Sequence, residues 1–344
     1  MSESPLLSVR DLIVEFPTRR GTLRPVDRVS FDVNRGEILG VVGESGAGKS
    51  MTGSAIVGLI DRPGRISGGE IWLGKDRIDN IAPGKMRRVR GKRIGMVFQD
   101  PLTSLNPLLT IGDQIVETIR THLSVSESEA RKRAVAALEE VGIPAAASRI
   151  DSYPHQFSGG MRQRVVIALA LAAEPELVIA DEPTTALDVS VQAQIMALLK
   201  RLCRERGTAV MLITHDMGVI AETTDRVAVL YAGRLAEIGP TRDVLSNPAH
   251  PYTIGLMAST PSPTGAADRL SQIPGAMPTL TNIPNGCAFH PRCTKAFGPC
   301  STELPEIRPA GRSSVACWLY DEALSGNPRR ADGRTEENAA GEPA

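Results

Sequence analysis

Ile38-Leu39-Gly40-Val41-Val42-Gly43-Glu44-Ser45-Gly46-Ala47-Gly48-Lys49-Ser50 decides the fold. Its first five residues are a nearly continuous apolar run, as expected of a strand buried on both faces. A helical pattern follows the glycines, expected from about Lys49 to Ile60. Strand, glycine-rich turn and helix in that order describe a phosphate loop: backbone N–H groups wrap a phosphate chain, and the helix points its positive end at it. In such a loop Lys49 reaches the β- and γ-phosphates, and the Ser50 hydroxyl binds Mg²⁺. Glycine-rich turns arise by chance, so the flanking strand and helix carry this reading.

Upstream, Leu7–Val9, Leu12–Phe16 and Val29–Val33 read as short strands; downstream, Glu70–Leu73 and Ile94–Phe98 do, the last ending at Gln99. From Asp100 to about Glu174 the pattern turns helical. Ser126-Glu127-Ser128-Glu129 is a capping box, and Gly142 stops the helix it opens. Strand–helix alternation resumes with Leu177–Ala180, a helix over Val189–Arg206 and a strand over Ala209–Ile213. A hairpin turned by Ala232-Gly233 follows. The fold class expected is α/β, a P-loop NTPase core with an antiparallel β subdomain, an inserted helical subdomain and a small irregular C-terminal extension.

The strand Leu177–Ala180 ends in Asp181-Glu182. Such a pair alone is commonly a cap or turn. Beside Lys49 it puts Asp181 at the carboxyl edge of the sheet near Mg²⁺, and Glu182 where it can polarise a water. Gln99 and His215 each follow a strand and are weak signals singly. In an open parallel sheet all four strand ends reach one edge, which is the ligand crevice. Phe157-Ser158-Gly159-Gly160 opens a further helix whose free N–H groups, with the Ser158 hydroxyl, can meet an anion; Ser158 can also simply cap its own helix.

Lys+Arg 39 against Asp+Glu 39 leaves no net charge, so no extended nucleic-acid surface is expected. The basic stretch Lys85, Arg87, Arg88, Arg90, Lys92, Arg93 has no interleaved aromatic residue and reads as a solvated loop or edge. Met1-Ser2-Glu3-Ser4-Pro5 has neither a positive n-region nor an apolar core, so no secretory leader is expected. The run Val165–Ala173 falls far short of the ~20 residues of a spanning helix. A membrane role would come through a partner.

With these residues in place, the chain resembles the ATP-binding subunits of ABC transporters over about Leu7 to Pro261. Residues 43–50, Gln99, Ser158-Gly159-Gly160, Asp181-Glu182, Asp188 and His215 match in type, order and spacing. The resemblance implies ATP and Mg²⁺ as cofactors and a head-to-tail dimer. Gly43, Glu44, Ser45, Gly46, Ala47, Gly48, Lys49, Ser50 and Met51 of one chain would hold ATP against Ser158, Gly159, Gly160 and Gln163 of the other, with Asp188 nearby. It also implies Ser50, Gln99 and Asp181 at Mg²⁺, and Glu182, His215 and Gln99 in catalysis. Phe16 matches a position that stacks on adenine, or is a core residue of its strand. Met161 stands where the generic signature has glutamine. That variant, Ala180–Asp188 and Asn247-Pro248-Ala249-His250-Pro251-Tyr252-Thr253 resemble the dipeptide/oligopeptide importer branch, which nickel importers share.

The implied domains are a nucleotide-binding domain over 1–260, with a helical subdomain at about 101–174, an extension over 261–320 and a disordered tail over 321–344. Cys287, Cys293, Cys300 and Cys317 crowd the extension. Four thiolates can bind an iron–sulfur cluster or Zn²⁺, or remain free; the absence of a Cys-x2-Cys pair argues against a zinc ribbon, and some members of the branch the chain resembles carry a [4Fe–4S] cluster at such cysteines. The implied partners are a second, non-identical ATPase subunit, two membrane-spanning permease subunits and an extracytoplasmic substrate-binding protein, with the chain peripheral on the cytoplasmic face of the inner membrane. A soluble ABC ATPase acting on nucleic acid is the competing class. A redox sensor built on the cysteines is a third reading.

Overall fold

The computed structural model describes residues 4–19, 21–185, 188–259 and 272–325. Among them the strands are, in chain order, β1 (Leu7–Thr18), β2 (Gly21–Val33), β3 (Ile38–Val42), β4 (Arg65–Leu73), β5 (Asp76–Arg77), β6 (Ile94–Val97), β7 (Leu177–Asp181), β8 (Ala209–Ile213), β9 (Arg226–Tyr231), β10 (Arg234–Pro240), β11 (Ile307–Ala310) and β12 (Ser313–Ala316). They form an antiparallel sheet ordered β2-β1-β4-β5 and a larger sheet ordered β11-β12-β10-β9-β3-β8-β7-β6. The expected strands Leu7–Val9 and Leu12–Phe16 are one strand. The interruption between them is a bulge where Asp11 takes φ 44° and its N–H donates to Ser30 Oγ (2.8 Å).

Strands β9, β3, β8, β7 and β6 run parallel. Their near-continuous apolar composition follows from burial on both faces. In β7 and β8, Val178, Ala180, Val210 and Leu212 pack toward the helical insertion, while Leu177, Ile179, Ala209, Met211 and Ile213 pack toward the antiparallel sheet. The period-two alternation of a strand thus joins two separate apolar cores. At Ala232-Gly233 the chain takes φ 46° and then 80°, the left-handed pair that suits the twist of a tight hairpin between β9 and β10.

Between β6 and β7 lie the helices Pro101–Ser104, Ile111–His122, Glu127–Glu140, Ala146–Arg149 and Gly159–Leu171. Thr110 and Asp113 cap the second reciprocally, and Ser126 Oγ accepts from Glu129 N–H at the start of the third. Among the described residues no helix is long and apolar enough to cross a membrane.

Several expectations change. The phosphate-loop helix is Lys49–Ile56, shorter than expected, because Gly58 turns left-handed (φ 64°) and closes it. The basic stretch is not a solvated loop throughout: Pro83–Val89 is helical. Arg90 donates to the Val57 and Gly58 carbonyls (2.7 and 2.6 Å), satisfying the open end of that same phosphate-loop helix. Arg93 joins Glu176 and Asp76 (2.7 and 2.8 Å). Among its described residues the extension has short helical turns and the hairpin β11–β12, which continues the large sheet by pairing with β10. Asp321 is buried against Arg308 (2.7 Å) and Glu322–Ser325 is a helical turn, so order continues past the expected boundary. The rest of the expected tail, 326–344, and the boundary at 260–261 lie outside the described residues.

At Gly95 in β6 the insertion packs directly on the sheet: a Cβ there would stand 2.3 Å from the Ala170 carbonyl oxygen, in the helix Gly159–Leu171. Gly95→Ala should therefore destabilise the protein by about 1–3 kcal/mol. Urea unfolding should show a lowered midpoint; an unchanged midpoint would mean that strand and helix separate freely.

Candidate nucleotide-binding site

The loop after β3 is shaped by glycines that side chains could not replace. Gly43 (φ 151°) and Gly48 (φ 96°) take left-handed angles, and Cβ atoms there would lie 2.2 Å from Leu230 O and 2.3 Å from Pro25 O. Lys49 is 7% exposed, and its Nζ donates to the carbonyls of Gly43 (2.9 Å) and Glu44 (3.1 Å). Burial lowers the Lys49 pKa, while the charges of Glu182 and Asp181 oppose that effect. Ser50 Oγ donates to Asp181 Oδ1 at 2.9 Å, joining the helix after β3 to the end of β7. Burial raises the Asp181 pKa; the Ser50 bond and the Lys49 charge oppose it.

Glu182 follows in the left-handed region (φ 45°), its N–H donating to Ile213 O (2.8 Å). Three side chains converge on its carboxylate: Gln99 Nε2 (2.9 Å) and Thr185 Oγ1 (2.9 Å) donate to Oε2, and His215 Nδ1 lies 3.2 Å from Oε1. Burial pushes this carboxyl up. The hydrogen bonds from Thr185 and His215, with the charges of His215 and Lys49, outweigh burial and hold it below the usual range.

Ser45, Gly46, Ala47, Gly48, Lys49, Ser50, Met51, Gln99, Glu182 and His215 line one open cleft of about 640 Å³. That is ample for a nucleotide. Pro25 and Leu280 also line it, and neither carries a motif that would mark it in sequence. Glu44 stands differently. Its N–H donates to Tyr252 Oη (2.9 Å) and its carboxylate pairs with Arg292 (2.7 and 3.0 Å), so neither group is offered to the cleft. Phe16 does not line the cleft. Its half-buried ring packs at the edge of the antiparallel-sheet core and against Gly64, where a Cβ would meet it at 2.5 Å.

Ser158, Gly159 and Gly160 also lie outside this cleft. Ser158 caps the helix Gly159–Leu171, its Oγ accepting from Met161 N–H (3.4 Å). Gln163, expected at the nucleotide, is 1% exposed, because its position on that helix faces the core. Asp188 is exposed at the start of the helix Val189–Arg206. Ala186 and Leu187 lie outside the described residues.

Cys287, Cys293, Cys300 and Cys317 do meet, around a cavity of only about 10 Å³. That is roughly the room one water needs. Burial pushes the Cys287 thiol up to about 11 and the Cys317 thiol up to about 12, and the neighbouring sulfurs act in the same direction. Among the described residues no group of three or more His, Cys, Asp or Glu is arranged to hold a metal ion. The expected convergence is present, but the space between the thiols as they stand has no room for a [4Fe–4S] cluster. His290 Nδ1 hydrogen-bonds the Cys287 carbonyl (3.0 Å).

Thr185, in sequence only one residue of a longer motif, proves to hold Glu182. Thr185→Val removes a donor that favours the ionised carboxylate, so the Glu182 pKa should rise. A carbon-13 titration of the glutamate carboxyls reads this directly; an unmoved Glu182 resonance would contradict the assignment.

Comparison with known proteins agrees with this geometry. The ABC transporter family pattern matches residues 26–185, and the oligopeptide/dipeptide transporter C-terminal region matches residues 236–300. The oligopeptide transport ATP-binding protein AppD of Bacillus subtilis is 45% identical over 322 residues, covering 93% of this chain and 98% of that relative. The dipeptide transport ATP-binding protein DppD of Bacillus subtilis is 47% identical over 320 residues, covering 92% and 95%. Among solved structures, the dimeric post-hydrolysis state of the ATP-binding cassette MJ0796 bound to ADP and Pi superposes with a TM-score of 0.62 at 29% identity. That match covers 69% of this chain and 99% of the cassette. Family patterns, full-length relatives and fold converge: the chain belongs to the ATP-binding subunits of the oligopeptide/dipeptide ABC transporters.

Proposed function

We propose that the chain hydrolyses ATP to energise import of di- or oligopeptides through separate membrane subunits, working as one of two ATPase subunits clamped head to tail. The observation that carries this reading is a division of parts. The phosphate loop, Gln99, Glu182 and His215 share one cleft, whereas the capped helix that starts at Ser158 stands outside it. A second subunit's equivalent helix N-terminus would complete the cleft, and this chain's Ser158-Gly159-Gly160 would serve the partner.

Within the cleft, the N–H groups of residues 45–50 and the Lys49 ammonium bind the β- and γ-phosphates. Ser50 and Asp181 would hold Mg²⁺, because hydroxyl and carboxylate oxygens suit this hard ion. When bound there, the ion would supply positive charge beside the phosphates. Glu182, kept ionised by Thr185 and His215, polarises the attacking water. Gln99 and His215 fix the two carboxylate oxygens in place, so that movement at either strand end is felt at Glu182.

The partners in this reading are a sister ATPase chain, two permease subunits on the cytoplasmic face of the inner membrane, and an extracytoplasmic binding protein that selects the peptide. Exposed apolar residues just after β6, Phe98, Leu102 and Leu108 (43%, 62% and 82%), support docking of the insertion on the permeases. Residues 1–260 form the nucleotide-binding unit and 261–320 the extension. The cysteines enter as free thiols, and no step runs through a metal held there.

Two variants separate binding from chemistry. Lys49→Ala should weaken Mg-ATP affinity by about 10- to 100-fold in calorimetry, the loss expected of a charge-assisted bond; unaltered affinity would count against the cradle. Glu182→Gln should keep affinity but lose about 10²- to 10⁴-fold in turnover by the transporter complex. Undiminished turnover there would refute the role of Glu182.

A further inference from the structure

We propose that Arg292 is a positioning residue for the phosphate loop, through which the cysteine-bearing C-terminal segment sets nucleotide affinity; this rests on the nucleotide site proposed above. The two Arg292 Nη atoms grip the two carboxylate oxygens of Glu44 at 2.7 and 3.0 Å. Glu44 immediately follows Gly43 at the start of the loop. The remaining guanidinium contacts run to Pro274 O (2.9 Å), Tyr231 Oη (3.3 Å) and Ile273 O (3.5 Å). Every side of the fork is therefore engaged, and its side chain is only 7% exposed.

This contact is more than a surface ion pair. The guanidinium lies 5.8 Å from the Tyr231 ring centre and 5.9 Å from that of Phe289, held against apolar rings rather than water. The same loop residue is gripped a second time, by Tyr252 Oη on its N–H. Tyr252 and Phe289 pack on Tyr231, with centroids 4.6 and 5.2 Å away. On the inner side, Lys49 Nζ donates to the Glu44 carbonyl. The first peptide units of the loop are thus pinned from within by the phosphate-binding lysine and from without by the C-terminal segment.

The sequence position of Arg292 gives the pin its meaning. It ends the helical turn His290–Arg292, directly before Cys293 and close after Cys287. The packing of the cysteine cavity and the shape of the phosphate loop are consequently linked through one side chain. A loop already held in place has less conformational freedom to lose when a triphosphate binds, so release of the pin weakens binding. Lysine offers a point charge without the fork and cannot make the paired contact.

The test is Mg-ATP affinity of the full chain by calorimetry, for the unaltered protein, Arg292→Met, Arg292→Lys, Glu44→Gln and the double variant Arg292→Met/Glu44→Gln. Circular dichroism and thermal midpoint are followed in parallel. Each single variant should weaken affinity by about 10- to 100-fold, Arg292→Lys included. The double variant should be no worse than the worse single one, the signature of one shared contact. Unchanged affinity, additive losses, or losses that track the fraction of unfolded protein would overturn the proposal. If Arg292→Met does not fold, Glu44→Gln releases the same pin and reads the same contact. No binding by the unaltered chain would overturn the nucleotide site itself, and this inference with it; binding there with unaffected variants would overturn this inference alone.

Discussion

The hydrogen bond from Ser50 to Asp181 marks the constraint on which the site depends. It joins the helix after β3 to the end of β7 across the intervening strand β8. Strands β3, β8, β7 and β6 are neighbours, parallel and in fixed register, so all four end on one edge. That edge receives Lys49 and Ser50, His215, Asp181 and Glu182, and Gln99 in the order of the strands. Parallel pairing requires a crossover between each pair of strands, which is why these residues are far apart in sequence and close in space. A one-residue slip of β7 would exchange its two faces and take both carboxylates out of place.

Much of this is legible in sequence because it rests on local rules. An apolar pentapeptide, glycines and a helix in that order, and a hairpin turned by Ala232-Gly233, each have one economical structural reading; the strand ending in two acids gains one only beside Lys49. The resemblance to ABC transporter subunits ties them together, and the family comparisons agree with it. Residues whose partners are remote in sequence are less legible. Arg90 resembles a solvated basic residue, but only the fold reveals that it closes the C-terminal end of the phosphate-loop helix. Glu44 sits inside the phosphate-loop motif, although its carboxylate answers to Arg292, 248 residues away. Gln163 belongs at the nucleotide only by resemblance, and its side chain is buried among tertiary neighbours that no local pattern names. The cysteines come together as their crowding suggests, but sequence spacing says nothing of the space between them.

The C-terminal segment packs on the main sheet and reaches the cleft. Its hairpin β11–β12 extends the main sheet, and buried Glu237 in β10 accepts the N–H groups of Ala249 and His250 (3.0 and 2.9 Å), anchoring the chain where the segment begins. Leu280 reaches the cleft and Arg292 holds the loop. In the proposed reading, the cleft beside the phosphate loop is completed by a second subunit. This chain's own Ser158 helix is displayed elsewhere, which is the geometry a two-subunit clamp needs.

The most direct measurement is the structure of the Glu182→Gln protein with magnesium and ATP bound. The expected result is triphosphate against the N–H groups of residues 45–50 and Lys49, with the metal on Ser50 and Asp181 in place of their mutual hydrogen bond. Nucleotide seated in any other cavity, or bound while Ser50 still donates to Asp181 and Lys49 keeps its two loop carbonyls, would contradict this mechanism.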